Sequence, residues 1–283
     1  LHETVERPDS STIDLWVLFT RVDEQLWKNV PAFARRALAF YSDQLGPYPY
    51  PQLTIVQNPY AERGGMEYPM ITLIDRTQDE EELDLVIAHE IGHNWLYGIL
   101  ANNEREHPWM DEGINTFYEN RYREMHYDAA RLTDYLGNFL ANGSDLRLDE
   151  TYYLMQARKH RDQAPDTPAE QLGYLNYSLA AYDKPAWAFD LLEAYLGKDT
   201  FDHSMRSFYE QWQFKHPRPA DLQKQFEQMS GRSLDWFFSG LIGSNAKLDY
   251  ALQRIECMDA TCSVSLRNRG AVATPVLLET RDQ

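Results

Sequence analysis

Apolar and polar positions predict an alternation of short strands and helices in the first part of the chain. The largely apolar run 12–22 predicts a strand. Apolar residues at 30, 33, 34, 37, 38 and 41 have the spacing of one buried stripe, which predicts a helix. The segment Gly46-Pro-Tyr-Pro-Tyr-Pro51 ends this helix, because proline lacks a backbone donor and restricts the residue before it.

Two more strands are predicted at 52–57 and 66–74, separated by a Gly-Gly loop at 64–65. After them the pattern is mostly helical. Acidic residues at 79–82 suit a helix N-terminus, where the helix dipole favours negative charge, and an apolar run follows them. A second helix is predicted over 112–127, and several more between about 131 and 245, including 186–196 and 220–229.

From residue 248 the pattern changes to alternating strands. The only two cysteines, Cys257 and Cys262, have four residues between them, and the strands on either side place them across a hairpin. They therefore form a disulfide or remain two free thiols. A disulfide would point to an oxidising compartment.

Composition and charge exclude several classes of protein. At 283 residues, with 43% hydrophobic and 13% aromatic residues, the chain can build a full core, so global disorder is excluded. With 27 basic against 44 acidic residues the net charge is -17, which argues against a nucleic-acid partner or an anionic membrane surface. Because apolar runs are far shorter than the roughly 20 residues that a membrane helix needs, no transmembrane segment is expected within this chain.

The segment His89-Glu-Ile-Gly-His93 carries the clearest chemistry. On a helix, residues four apart lie on one face, so both imidazoles can bind one metal ion while Glu90 reaches its water. Catalytic zinc commonly takes three protein ligands, and Glu112 follows His93 after eighteen residues, at the start of the next predicted helix. Glu119, seven residues further along, could hydrogen-bond a ligand imidazole or be a solvated charge. For the motif alone, unrelated helix residues remain the alternative.

These residues resemble the gluzincin aminopeptidases, the family that includes aminopeptidase N and leukotriene hydrolase. The matching segments are His89-Glu-Ile-Gly-His93-Asn-Trp95 with the gap to Glu112, Gly64-Gly-Met-Glu-Tyr68, Tyr182-Asp-Lys-Pro185, and Ser230-Gly-Arg-Ser-Leu-Asp-Trp-Phe-Phe238. Together they cover about residues 12–250. The chain departs from the family at Tyr68, where the substrate loop usually has Asn, and at Pro185, where Gly usually follows the Lys.

The resemblance implies an α+β fold: a thermolysin-like zinc domain, with a small mixed sheet and zinc-binding helices, followed by a helical domain and a short β tail. The implied divisions are an initial strand and linker at 1–22, the catalytic domain at 23–165, a helical subdomain at 166–247, and a hairpin that starts a C-terminal β domain at 248–283. We expect flanking domains in the full-length protein. The cysteine pair and the likeness to bacterial members favour a periplasmic, secreted or externally anchored protein over a cytoplasmic one.

The resemblance also implies the role of each site residue. His89, His93 and Glu112 would hold one Zn²⁺ per chain, with Glu119 hydrogen-bonded behind them. Glu90 would be the general base, and Tyr182 would stabilise the oxyanion, although the residues alone favour a core aromatic at Tyr182.

The substrate would be a peptide with a free N-terminus. Its α-amine would bind Glu67, in the loop formed with Gly64, Gly65 and Met66. From the residues alone, Glu67 could equally be a loop carboxylate, and Glu62 competes for the amine. The alternatives to an aminopeptidase are an endopeptidase or epoxide-type hydrolase on the same site, and a zinc-containing binding scaffold without turnover.

Overall fold

The fold is presented from a computed structural model, which describes residues 1–62, 64–127, 148–258 and 261–276. It is a mixed α+β structure in which one five-stranded sheet is combined with helices, and the chain ends in a separate hairpin. Within the described ranges, no helix is long and apolar enough to cross a membrane.

The sheet is mixed, with strands in the order β1-β2-β3-β5-β4. Its strands are β1 His2–Glu6, β2 Thr12–Leu18, β3 Gln52–Glu62, β4 Gly65–Met66 and β5 Ile71–Arg76. The central pairs β2 with β3 and β3 with β5 are parallel, whereas β1 and β4 pair antiparallel with their neighbours at the two edges. In β2 every second residue is buried, so one face of that strand packs on the core.

Two strand predictions need correction, and one strand was not predicted. The first strand ends at Leu18 rather than 22, and a short helix follows it. The predicted strand 66–74 is two strands, because a turn intervenes in which Met70 has a φ of 63°, outside the extended region. Strand β1 was not predicted, because its five residues are mostly exposed and polar.

The helices confirm the helical prediction in the described part of the chain; residues 128–147, within the predicted helical interval, lie outside it. They are α1 Glu24–Trp27, α2 Val30–Gln44, α3 Glu80–Gly92, α4 Ile114–His126, α5 Leu148–Arg158, α6 Tyr174–Tyr177, α7 Lys184–Leu196, α8 Lys198–Trp212 and α9 Pro219–Ser230. There are also 3₁₀ turns at Arg21–Asp23 and Ala169–Gln171, and π-helical turns at Trp109–Gly113, Ser178–Asp183 and Trp236–Ile242.

Helix α3 is fixed at both ends and along its length. Asp79 caps its N-terminus by accepting a hydrogen bond from the backbone N–H of Glu82 at 2.8 Å. The chain then leaves the helix at His93 and enters a buried segment in which Trp95 donates its indole N–H to the carbonyl of Gly46 at 2.7 Å. Helix α3 packs between α2 and α4 and also contacts β5, and these contacts hold the helix in place.

A single cluster of buried residues runs from Ile13 in the sheet to Val272 near the end of the chain. It joins the sheet, helices α2 to α4 and helices α7 to α9, so the helical part packs directly on the part that carries the histidines. At the end of the chain, β6 Tyr250–Met258 pairs antiparallel with β7 Thr261–Asn268. Cys257 faces Cys262 in this hairpin and the two form a disulfide, as the hairpin pattern allowed.

Candidate metal centre

Three side chains from two helical segments converge on one point. His89 lies in the last turn of α3, His93 follows that helix, and Glu112 lies in the π-helical turn before α4. The Nε2 atoms of the two histidines are 3.1 Å apart, and each is 3.2 Å from Oε2 of Glu112. The three ligand-type atoms therefore form a nearly equilateral triangle.

This triangle fits a tetrahedral metal ion. Ligand atoms about 2.0–2.1 Å from a tetrahedral ion are roughly 3.3–3.4 Å apart, close to the spacing observed. Two imidazoles and one carboxylate are also a donor set that suits zinc and leaves a fourth position open. The residues present can thus hold one zinc ion without rearrangement of the backbone.

The opposite nitrogen of each histidine is held by a carboxylate. Nδ1 of His89 lies 3.1 Å from Oε2 of Glu119, the contact suggested as one of two possibilities for this residue. Nδ1 of His93 lies 2.8 Å from Oδ1 of Asp111, which is 1% exposed. Such partners fix the ring orientation and direct Nε2 toward the ion. Asp111 was not predicted; its place next to Glu112 in the sequence is the one signal that points to it.

The buried charged groups of this centre shift the pKa values of one another. Burial lowers the pKa of His89, but hydrogen bonds to Glu112 and Glu119 outweigh it and raise that pKa to about 10. Burial raises the pKa of Glu112, yet the charge of His93 and its hydrogen bonds to both histidines hold the net pKa well below the usual range. Glu112 is therefore ionised at neutral pH, as a metal ligand must be.

Glu90 lies beside this group and is 5% exposed. Its Oε2 atom has no hydrogen-bond partner, and burial raises the pKa of its carboxyl to about 7. Gly65, at the edge of the sheet, leaves the space that this carboxylate fills: a Cβ on Gly65 would lie 2.4 Å from Glu90 Oε1. A residue without a side chain is therefore needed at position 65 for Glu90 to lie where it does.

Tyr182 reaches the group from the second π-helical turn. Its hydroxyl donates to Oε1 of Glu112 at 2.5 Å, and its ring stacks on His89 with centroids 6.0 Å apart. Burial and the charge of Glu112 raise the pKa of Tyr182, so its hydroxyl keeps its proton and acts as a donor. The predicted tyrosine is thus in contact with the centre, although here it donates to a ligand residue.

The predicted substrate loop borders the centre as well. Gly65 and Met66 form β4 at the sheet edge, and Gly64 precedes them with a φ of 150°. Glu67 follows directly, and one of its carboxylate oxygens lies within 4.8 Å of ligand-type atoms of Glu90 and His93. The side chain of Glu62, the predicted competitor, lies outside the described residues.

A second carboxylate near this loop was not predicted. Glu104, in the loop between the two helices of the centre, contributes an oxygen within 4.8 Å of oxygens from Glu67 and Asp111. In the sequence it lies in the charged run Asn103-Glu-Arg-Glu106, which looks like solvated surface. His107 in the same loop does not join the centre, because its Nδ1 pairs with Asp166 at 2.6 Å.

A cavity of about 420 Å³ opens next to the centre. It is bounded by Tyr177, Tyr182 and residues of α4, among them Glu119 and Arg123. Arg123 donates to Oε1 of Glu119 at 2.8 Å, so the carboxylate behind His89 is itself held in place.

Comparison with known proteins covers most of the chain. A model of the peptidase family M1 domain matches residues 32–240. Aminopeptidase M1-C of Oryza sativa subsp. japonica is 25% identical over 209 residues, which cover 69% of this chain and 23% of that protein. Leucine aminopeptidase 2 of Sclerotinia sclerotiorum is 29% identical over 178 residues, covering 60% of this chain and 28% of that protein. The chain thus spans about a quarter of the length of these relatives.

Solved structures show the same fold. Aminopeptidase A of Legionella pneumophila, solved in complex with aspartic acid, superposes with a TM-score of 0.66 at 14% identity, covering 96% of this chain and 34% of that one. An M1 zinc metallopeptidase from Deinococcus radiodurans superposes with a TM-score of 0.61 at 15% identity, covering 86% of this chain and 51% of that one. At these identities the likeness concerns the fold.

Proposed function

The chain belongs to peptidase family M1, and we propose that it acts as a zinc-dependent aminopeptidase that removes N-terminal residues from peptides. The observation that carries the proposal is the triangle of His89, His93 and Glu112, beside which the buried Oε2 of Glu90 lacks a partner. The names of the relatives support the same activity, since those quoted above are aminopeptidases.

The three triangle residues would hold the ion. Bound zinc supplies Lewis-acid chemistry, which polarises a carbonyl and lowers the pKa of water toward neutrality. Glu90 would accept the proton of the attacking water and later deliver it to the leaving amine, because its side chain starts from the residue next to ligand His89. Because Glu90 is 5% exposed, little bulk solvent can compete for that proton.

Tyr182 would stabilise the negative charge that develops on the carbonyl oxygen. This role is supported by the position of its hydroxyl, which donates to Glu112 and so lies within hydrogen-bond range of a proposed zinc ligand. A donor aimed at charge that forms only in the transition state lowers the barrier without tightening substrate binding.

Glu67 would bind the free α-ammonium group. In a peptide the terminal nitrogen is two bonds from the first carbonyl carbon, about 2.5 Å away, so the ammonium site must adjoin the metal centre. Glu67 meets this condition, because its carboxylate lies close to Glu90 and His93. A fixed ammonium site at that distance selects the first peptide bond and makes the enzyme an exopeptidase.

The test combines metal analysis with matched substrates. We expect one zinc per chain in protein purified without chelators, hydrolysis of an amino-acid anilide, and little hydrolysis of its N-acetylated form. Glu90→Gln should retain the zinc and lose at least about a thousandfold in kcat, since general-base catalysis contributes roughly 10²–10⁴-fold and nucleophile activation is lost with it.

Each alternative predicts a different result. A preference for the acetylated substrate would identify an endopeptidase and reject the proposal. Stoichiometric zinc without any turnover would identify a binding scaffold. Full activity in Glu90→Gln would reject the mechanism even if the protein is a peptidase.

A further inference from the structure

Two adjacent carboxylates of the π-helical turn Trp109–Gly113 contact the same imidazole at its two nitrogens. Oδ1 of Asp111 lies 2.8 Å from Nδ1 of His93, and Oε2 of the next residue, Glu112, lies 3.2 Å from Nε2. Both contacts depend on how this one turn is placed, since neighbouring side chains on a helix have fixed relative directions. Whatever fixes the turn therefore fixes a proposed metal ligand and the partner of a second ligand together.

The turn is irregular and is held at its end by the helical part of the fold. The backbone N–H of Ile114 donates to the carbonyl of Trp109, five residues earlier, which is the hydrogen-bond spacing of a π-helix. Such single turns are rare and occur mostly at functional sites. Gly113, the last residue of the turn, packs so closely that a Cβ there would lie 2.5 Å from Cγ of Pro185. The end of the turn is thus held against α7.

The beginning of the turn is held through Trp109. Its side chain is fully buried and stacks on Phe189 with ring centroids 6.2 Å apart. The indole N–H, which is the only polar group of this side chain, donates to Oδ1 of Asp166 at 2.8 Å. A buried donor that loses its acceptor keeps the full cost of desolvation, so this bond favours the observed position of the ring. Asp166 therefore holds the residue at which the π-helical turn begins.

The same oxygen of Asp166 also holds the loop before the turn. It lies 2.6 Å from Nδ1 of His107, and because a carboxylate only accepts, the proton of this contact is on the imidazole. Asp166 is itself fixed, because its backbone N–H donates to the carbonyl of Ile242 at 3.1 Å. Three residues later, the N–H of Ala169 donates to the carbonyl of Arg105 at 2.9 Å. A distant segment is therefore bonded to the loop and to the turn that lead to the metal centre.

We propose that Asp166 is a positioning residue, which orients the π-helical turn so that Asp111 and Glu112 both reach His93. The proposal rests on the zinc binding in the proposed function. Asp166 acts through the indole and the imidazole that it binds, and not by contact with the ion. Removing its carboxylate should therefore leave all three ligand residues present and still weaken the binding of zinc.

The test measures the zinc affinity of the full chain, by competition with a chromogenic chelator, for wild type and three variants. Asp166→Ala removes the acceptor, whereas Asp166→Asn keeps an amide oxygen that can accept from the indole. Asp162→Ala is the matched control, because it removes a carboxylate of the same segment whose ion-pair partner is Lys247 instead of a residue of the turn. Urea unfolding of each zinc-free protein identifies conditions under which all four are folded, and affinities are compared only there.

We expect Asp166→Ala to weaken zinc binding by about tenfold, the lower end of the range for residues that support metal ligands, and Asp166→Asn to recover most of this loss. Asp162→Ala should lower the urea midpoint, because Lys247 loses its partner, and yet bind zinc as wild type does. The visible absorption of the cobalt-substituted protein reports the arrangement of the ligand atoms, so it should change in Asp166→Ala and stay unchanged in the control. If Asp166→Ala does not fold, Trp109→Phe removes the same hydrogen bond and should lose the same affinity.

The negative results have different meanings. If wild type binds one zinc and Asp166→Ala binds it equally well with the same cobalt spectrum, Asp166 contributes only to stability; the inference is then refuted and the aminopeptidase proposal stands. Equal weakening in Asp166→Ala and Asp162→Ala would also refute it, because any disturbance of this segment would then have the effect. If wild type binds no zinc, the metal centre itself is wrong and both proposals fall.

Discussion

Replacing Gly65 by alanine should disable the Glu90 carboxylate while leaving the protein folded. A Cβ at this position would lie 2.4 Å from both Cδ and Oε1 of Glu90 and 2.5 Å from its Cγ. Carbon atoms in ordinary contact are about 3.5 Å apart, so the carboxylate has to move by about 1 Å.

That movement has different consequences for folding and for catalysis. The displaced atoms are the end of a flexible side chain, so rotation about its bonds relieves the clash at a cost of about 1 kcal/mol. In catalysis, a misplacement of about 1 Å costs on the order of a hundredfold, which corresponds to about 2.7 kcal/mol of barrier. We therefore expect kcat to fall by about a hundredfold while the unfolding temperature changes by only a few degrees.

The assay is kcat for an amino-acid anilide, with zinc content and thermal unfolding measured on the same samples. Gly173→Ala is the matched control, because its Cβ would lie 3.6 Å from Gln163 Oε1 and 3.8 Å from Asn176 Nδ2, both ordinary contact distances, and its φ of -66° suits alanine. The control should retain full activity. Turnover of Gly65→Ala within threefold of wild type, at full zinc content, would refute the idea that Gly65 determines the position of Glu90.

Three further predictions concern the surroundings of the centre. Gly92→Ala should lower stability by about 1–3 kcal/mol in a urea titration, because its Cβ would overlap the buried amide oxygen of Asn115 at 2.1 Å. Asp111→Asn should weaken zinc binding by about 10–100-fold in competition with a chromogenic chelator, since it removes the charged partner of His93. Burial lowers the pKa of Lys184 from its ordinary value of 10.5 to about 8 in the folded protein. Between pH 8 and pH 10.5 the unfolded chain therefore binds more protons than the folded one, so stability should rise with pH across this interval. Comparing urea midpoints at several pH values for wild type and Lys184→Met checks this slope, which the variant should lack.

The positions of His89, Glu90 and His93 could be predicted because a single rule places them. Residues one and four apart on a helix have fixed directions, and helix α3 is marked by an acidic start and an apolar run. Glu112 needed only the further assumption that the next helix returns antiparallel. The geometry of the three α3 residues is local to one helix, and that of Glu112 depends only on the next helix, so the sequence pattern predicts both.

Asp111 and Glu104 could not be predicted in the same way, because their partners are determined by the path of the loop between the helices. That path depends on irregular backbone hydrogen bonds, such as the one from Gly98 N–H to the carbonyl of His93 at 2.9 Å. It also depends on side-chain contacts with distant residues, such as the one between His107 and Asp166. No periodicity in the sequence encodes such contacts. A charged run such as the one around Glu104 looks the same whether it faces solvent or a site.

The irregular backbone at the sheet edge also prevented a correct prediction from the sequence. A continuous strand over 66–74 was a reasonable prediction, yet the left-handed conformation of Met70 divides it in two. The division leaves β4 only two residues long, so Glu67 lies between β4 and the turn, beside the centre, instead of along a strand. The failure of the strand prediction and the position of Glu67 therefore have the same structural cause.

The site as a whole has more negative charge than the protein itself neutralises. Six carboxylates surround the two histidines: Glu67, Glu90, Glu104, Asp111, Glu112 and Glu119. Three of these are engaged with the imidazoles, and Arg123 also pairs with one of them. The other three have no lysine or arginine partner among the ion pairs of the described residues. A divalent ion held by His89, His93 and Glu112 would supply two positive charges beside them. Because Asp111 contacts His93, and one of its oxygens lies within 4.8 Å of oxygens from Glu67 and Glu104, the charge of that ion changes the electrostatic potential at these carboxylates.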